Sequence, residues 1–220
     1  MLLDLNSLEE DAVLRSDVAI IGGGAAGIGI ALELMGSGLD VLLVESGGVE
    51  YDSETQALYD GDVTGLIYFP LDGARLRFLG GTTNHWHGQS MPLEPVDFDR
   101  RDWVPDSGWP IGYDEFRRYL PRAERLCKLT IAEAGPDVWD LGPGMPAFPL
   151  ADGGFGPVVI RYPQGDFSFG VVYRRALARA ERLRCVLNAN AVGFETEGDG
   201  QRLSRVRLRS LSGKAATLEA

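Results

Sequence analysis

The chain has 220 residues, 45% of them hydrophobic and 24% charged, proportions ordinary for a globular protein of one large domain or two small ones. Its net charge of −11 argues against a nucleic-acid partner, whose phosphates it would repel, and no run of Lys or Arg suits an anionic membrane surface. No apolar run approaches the roughly 20 residues of a membrane span. Met1 to Asp11 lacks the basic start and apolar core of a signal peptide, so cytoplasmic is the default expectation.

In chain order, residues 1–16 read as a short arm, and 17–46 carry the main signal. Val18–Ile21 is an apolar strand, and Gly22-Gly23-Gly24-Ala25-Ala26-Gly27 is a G-x-G-x-x-G turn. A helix follows, with Ile28, Ala31, Leu32 and Met35 spaced to face a sheet and with Gly36 and Gly38 to stop it. Val41–Val44 is a second apolar strand with Glu45 at its end. Together these form the dinucleotide-binding fingerprint. Gly22 permits the tight turn, Gly24 lets a pyrophosphate approach the backbone, and Gly27 lets helix and strand pack closely. The N–H groups near Ala25 and Ala26, at the positive end of the helix dipole, favour an anion. Glu45 follows Gly27 by 18 residues, near the spacing of roughly 20 for the acid that holds ribose hydroxyls. The competing reading is a structural strand–turn–helix with Glu45 solvated.

Residues 47–74 read as loop. A second glycine motif follows, Arg75-Leu76-Arg77-Phe78-Leu79-Gly80-Gly81-Thr82-Thr83-Asn84-His85-Trp86. From Met91 to Pro110 the chain is dense in Pro, Asp and Trp. Asp114 to Leu126 reads as an amphipathic helix kinked at Pro121. Residues 130–157 read as an irregular excursion. Val171 to Leu183 reads as a helix with Ala176, Leu177, Ala180 and Leu183 on one face, and Arg184–Leu187 as a third parallel strand. A three-stranded antiparallel meander then runs through Ala191–Thr196, Leu203–Arg209 and Ala216 onward, with turns at Gly198-Asp199-Gly200 and Ser212-Gly213-Lys214. Three parallel strands are few for a doubly wound sheet, so the chain is expected to be an N-terminal piece of a longer protein.

Other residues invite weaker readings. Cys127 and Cys185 fit no metal or redox spacing and read as buried thiols, and His85 and His87 belong to no metal constellation. Trp103, Trp109, Trp139 and Tyr113 suit either a sugar-stacking surface or plain packing. Asp97 and Asp99 suit capping better than acid–base work, because Phe98 would split their directions in an extended chain. Arg100-Arg101-Asp102 reads as a solvated charged turn.

With Val18–Gly27, Glu45-Ser46-Gly47 and Arg77 to Trp86 in hand, the chain resembles the glucose–methanol–choline (GMC) oxidoreductases, flavoenzymes that oxidise alcohols and sugars. Pro92-Leu93-Glu94-Pro95-Val96-Asp97-Phe98 and Gly108-Trp109-Pro110-Ile111 with Tyr113, Glu115 and Phe116 are similar to the bacterial branch nearest pyranose oxidases and sugar dehydrogenases. The resemblance covers most of residues 17–210. It implies an α/β, doubly wound, Rossmann-like FAD-binding domain at 17–95 and 166–220, incomplete, and the start of a substrate domain at 96–165. It implies FAD held by Gly22, Gly24, Ala25, Ala26, Gly27, Glu45 and Ser46. Arg77, Gly80, Gly81 and Thr82 match residues along the pyrophosphate and flavin, Asn84, His85 and Trp86 the segment against the flavin ring, and Ala191 a backbone contact to adenine. In some relatives the histidine matching His85 is bonded to the flavin 8α-methyl carbon and in others FAD is held without a bond; both alternatives stay open for His85. The family's catalytic histidine pair matches nothing here and is expected C-terminal to this segment. The resemblance implies an alcohol or sugar substrate, with the electron acceptor unspecified. A nicotinamide-dependent Rossmann dehydrogenase and a non-catalytic cofactor-binding fragment remain the other classes.

Overall fold

A computed structural model describes residues 1–129, 160–163, 165–198 and 200–220. The excursion expected over 130–157, with Trp139, and Asp199 of the first meander turn lie outside the described residues. The chain divides into two compact units, Met1–Trp86 with Phe167–Ala220, and His87–Asp166.

The elements follow the hydrophobic pattern. The first unit opens with β1 (Leu2–Asp4), β2 (Ala12–Arg15), β3 (Val18–Ile21), α1 (Ala25–Leu34) and β4 (Val41–Val44), then two one-turn helices, α2 (Ser53–Gln56) and α3 (Leu71–Ala74). The second unit contributes α4 (Pro95–Phe98), α5 (Tyr113–Arg117) and α6 (Leu120–Leu126). The chain returns to the first unit with α7 (Phe169–Arg179), β5 (Leu183–Leu187), β6 (Asn190–Thr196), β7 (Leu203–Arg209) and β8 (Ala215–Glu219).

Two four-stranded sheets organise the first unit. One is wholly parallel, in the order β1-β5-β4-β3, with Val18 opposite Val41 and Val41 opposite Leu183. Every residue of β4 is buried, as expected of a central parallel strand covered on both faces. The other sheet runs β2-β8-β7-β6, the meander extended by β2 lying parallel to β8. Leu42, Val44 and Val186 of the parallel sheet share one core with Leu14, Val206, Leu208, Ala216 and Leu218 of the mixed sheet. Strand alternation turns Val41 and Leu43 to the opposite face. There α1 and α7 cover the sheet, burying Ile28, Ala31, Tyr173 and Leu177.

Several sequence expectations need correction. The arm at 1–16 is two strands; segments of three and four residues carry too little periodicity to announce themselves, and their partners lie about 180 to 200 residues onward in sequence. Met35 ends α1 as an exposed C-cap, not a sheet-facing residue, with Gly36 and Gly38 at φ +85° and +86° behind it. The helix expected over Asp114–Leu126 is broken into α5 and α6 around Arg118 and Tyr119. Pro121 lacks an N–H and sits in the first turn of α6, where none is needed. The helix expected over Val171–Leu183 runs from Phe169 to Arg179 behind a Ser168 cap. Its buried face is Phe169, Gly170, Tyr173 and Leu177, and Leu183 opens β5 instead.

Phe98 is the centre of an aromatic group in the second unit, 5.9, 5.7 and 5.1 Å from the rings of Trp109, Tyr113 and Phe116. An Arg161–Glu124 ion pair at 2.7 Å and the Ser90–Arg161 bridge tie its ends.

Candidate cofactor site

The C-terminal ends of β3, β4 and β5 lie side by side, the edge at which open α/β sheets bind ligands. At the end of β3, Gly22 turns the chain with φ +104°, and its N–H donates to Val44 O at 2.7 Å. A Cβ on Gly27 would stand 1.9 Å from Gly22 O, so helix and strand meet main chain to main chain. Gly24 is the N-cap of α1, and a Cβ there would meet nothing within 4 Å. That open approach faces a helix start with no side-chain cap, where the N–H groups of Ala25, Ala26 and Gly27 have no intrahelical acceptor. An uncapped start with open space before it suits an anion.

Glu45, at the end of β4, is buried, contrary to the solvated alternative. Its Oε2 accepts from Gly23 N at 2.6 Å, and its Oε1 accepts from Gly47 N at 2.9 Å and Ser46 Oγ at 3.1 Å. Glu45 thereby binds the glycine turn after β3 to the one after β4. Three of a carboxylate's roughly four acceptor sites are in use.

The second glycine motif folds directly onto the first. Gly80 N donates to Gly23 O at 2.7 Å, Leu79 N to Gly48 O at 2.9 Å, and a Cβ on Gly81 would lie 3.2 Å from Gly24 Cα. Gly80 and Gly81 take φ of +100° and +55°, successive left-handed residues that explain the glycine pair. Gly170, at the start of α7, packs on the far side: a Cβ on it would stand 2.0 Å from Leu79 O. Thr83, which the sequence did not single out, is buried and donates to Gly80 O at 2.6 Å while accepting from Phe169 N at 3.1 Å. Asn84 turns its amide inward, donating to Leu79 O and Gly81 O. Trp86 Nε1 donates to Phe167 O at 2.9 Å, and its ring lies against Phe167 and Phe169. Thr82 and His85 are exposed, and the His85 N–H closes the 3-10 turn on Thr82 O.

Arg77 stands beside the entry to β6. Its Nη2 donates to Asn190 Oδ1 at 3.1 Å, its guanidinium lies 4.9 Å from the Tyr59 ring centre, and its Nε is buried without a partner among the described residues. Ala191 is half-buried opposite Leu208, with a β-bulge between it and Gly193. Backbone bonds from Asn188 N to Gly47 O and Ala189 N to Glu45 O bring this corner against the Glu45 turn.

The remaining expectations divide. Asp97 caps: its Oδ2 accepts from Glu94 N at 2.8 Å in a capping box. Trp109 and Tyr113 pack on Phe98, and Trp103 is 81% exposed. Ser107 both donates to and accepts from the Arg101 backbone, so the charged turn is internally braced. Burial raises the Cys185 thiol to about 11 and the half-buried Cys127 thiol in the same direction. Among the described residues no group of three His, Cys, Asp or Glu could hold a metal, and no helix is long and apolar enough to cross a membrane.

The fold has counterparts among solved structures. The fold is similar to that of a formate oxidase, with TM-score 0.61 and 17% identity over 97% of this chain and 45% of the other. It is also similar to pyridoxine 4-oxidase from Mesorbium loti, with TM-score 0.57 and 19% identity over 93% of this chain and 48% of the other. The fold is thus similar to that of GMC oxidoreductases, to which these solved structures belong. A formate oxidase of Aspergillus oryzae studied for FAD modification shares it at TM-score 0.51 and 14% identity, over 97% of this chain and 45% of that one. Among curated relatives, 2-methyl-1,2-propanediol dehydrogenase of Mycolicibacterium austroafricanum is 32% identical over 133 residues, 51% of this chain. Paromamine 6'-oxidase of Streptomyces fradiae is 33% identical over 131 residues, 54% of this chain. The matched stretch spans 24% of either relative's length. No family model matches the chain. Both glycine bends and the Glu45 latch lie in the first unit, the one that holds the parallel sheet.

Proposed function

We propose that this chain forms the FAD-binding part of an enzyme that oxidises an alcohol or sugar hydroxyl. The observation that carries the reading is the contact between the two glycine bends: Gly80 N on Gly23 O, with Gly81 against Gly24. One diphosphate can then meet the α1 N-terminus and the second bend together. NAD and FAD each carry one diphosphate, so the reading of the dinucleotide as FAD is supported by the fold shared with the formate oxidases, one of them studied for FAD modification. The residues fit such a group. Gly24 leaves the approach open, α1 offers uncapped N–H groups, and Arg77 carries a buried Nε without a partner among the described residues.

When bound, FAD would supply the hydride acceptor at N5 for the hydroxyl-bearing carbon. The chain's own residues would bind and orient. Ala25, Ala26 and Gly27 N–H groups with the α1 dipole would hold phosphate oxygens. Glu45 would accept one ribose hydroxyl, with Ser46 beside it, and the Ala191 backbone would meet adenine. Gly80, Gly81 and Thr82 would line the route to the ring, Asn84 and Trp86 would stiffen it, and the exposed His85 would face it. The relatives, a propanediol dehydrogenase and a paromamine oxidase, support a hydroxylated small molecule as substrate.

The test is titration of the purified chain with FAD, read by quenching of flavin fluorescence, with NAD in parallel. Saturable FAD binding without NAD binding is expected. NAD binding alone, or neither, would overturn the reading. Acid precipitation of the flavin-loaded chain distinguishes the two alternatives for His85: flavin in the pellet means a covalent bond, flavin in the supernatant means none.

A further inference from the structure

We propose that Gln56 is a positioning residue of this site, a single side-chain amide that fixes where Arg77 stands. The inference rests on the FAD reading for its consequence, but its geometry is independent of any ligand.

Gln56 closes α2 and is 4% exposed. Its Nε2 donates to Asp72 O and to Arg75 O, each at 2.6 Å, and its Oε1 accepts from Arg77 N at 3.0 Å. One amide thus serves three main-chain groups within six residues. The chain leaves this point at Ala57 and returns at Asp72, and between them Asp60–Pro70 is exposed throughout. Gln56 therefore shuts the neck of a long surface loop, which has little packing of its own to set the course of 72–77.

The chemistry required of position 56 is narrow. The backbone presents two acceptors and one donor to it, and a primary amide offers two donors and an acceptor in return. Glutamate would turn an oxygen toward two carbonyls. Leucine would fill the volume and leave three main-chain groups unpaired.

Arg77 depends on this arrangement from two sides. Its own N–H is held by Gln56, and the Tyr59 ring beneath its guanidinium belongs to the turn Ala57–Tyr59 that begins at the next residue. The guanidinium then reaches Asn190, and no carboxylate among the described residues pairs with it. A cation held this way, with an unpartnered Nε, is poised for an anionic group, and Gln56 sets its place.

The experiment uses the full chain as Gln56→Leu, Gln56→Glu, Arg77→Ala and the Gln56→Leu/Arg77→Ala double variant. Without ligand, trypsin is expected to cut after Arg75 and Arg77 roughly tenfold faster in both Gln56 variants, because the segment opens locally. With FAD, Gln56→Leu and Arg77→Ala are each expected to weaken binding about tenfold, and the double variant no further than the weaker single one, since Gln56 acts through Arg77. Hydrogen exchange on the wild-type chain needs no variant: the Arg77 amide should exchange about a hundredfold slower than its unbonded neighbours in the loop. Unchanged cleavage in folded Gln56 variants, undiminished FAD affinity, additive losses, or an unprotected Arg77 amide each overturns the proposal. A wild-type chain that binds no FAD overturns the flavin reading and the cofactor half of this one, while the cleavage and exchange results still decide whether the amide holds the segment.

Discussion

Replacing Gly24 and Gly27 separately by alanine divides folding from ligand capture, although the two residues lie one turn apart on α1. At Gly24 the backbone has φ −80°, which alanine adopts freely, and the new methyl would meet nothing within 4 Å. Alanine is a poorer N-cap than glycine by about 1 kcal/mol. It also restricts the unfolded chain, which returns roughly 0.4–1 kcal/mol. Gly24→Ala should therefore change stability by less than about 1 kcal/mol, a Tm shift of no more than about 4 °C. The same methyl occupies the space a diphosphate would enter, and loss of one charged hydrogen bond there is worth about 1.5–3 kcal/mol, roughly ten- to a hundredfold in Kd. Gly27→Ala is the converse. Its Cβ falls 1.9 Å from Gly22 O and 3.1 Å from Gly22 C, main-chain atoms that no rotamer change can move. The gain in helix propensity, about 1 kcal/mol, offsets little of an overpacking cost of about 3 kcal/mol or more. Urea denaturation measures one quantity and FAD titration the other. A Gly24→Ala protein that binds FAD undiminished, or a Gly27→Ala protein as stable as the wild type, would refute the reasoning.

Two further outcomes follow from buried groups. Thr83→Val removes a donor to Gly80 O and an acceptor for Phe169 N and should cost about 2 kcal/mol or more in urea denaturation, whereas Thr83→Ser should stay within about 1 kcal/mol. Cys185 has its thiol raised to about 11 by burial, so above pH 9 the unfolded chain loses this proton and the folded chain keeps it. Its contribution is complete below the unfolded value and is lost as pH rises toward 11, on the order of 2–3 kcal/mol, and Cys185→Ala should flatten that part of the stability–pH curve.

The parallel sheet and the meander were legible because their strands carry continuous apolar runs or strict alternation, and the glycine turns because each glycine answers a steric need. β1 and β2 were not, since edge strands so short are specified by partners far along the chain. Glu45 was recognised as the acid at the end of β4, but its burial was not, because two of its three donors are main-chain amides that any residue would supply. Thr83 and Gln56 escaped notice for the same reason: each bonds backbone, and backbone partners leave no trace in a sequence. Pro121 was read as a kink when it sits in the first turn of a new helix, after Arg118 and Tyr119, which keep right-handed helical angles while the helix is interrupted.

Where Gly24, Gly81, Gly80 and Gly170 meet, the contacts run from main chain to main chain. A joint of that kind has no side chain that selection can tune. Drift among descendants of this chain should therefore be frozen at Gly27, Gly80 and Gly170, where a Cβ would stand 1.9 to 2.6 Å from main-chain atoms. A designer seeking new behaviour from this scaffold must leave these three positions alone, because a methyl added at any of them must first push two backbones apart.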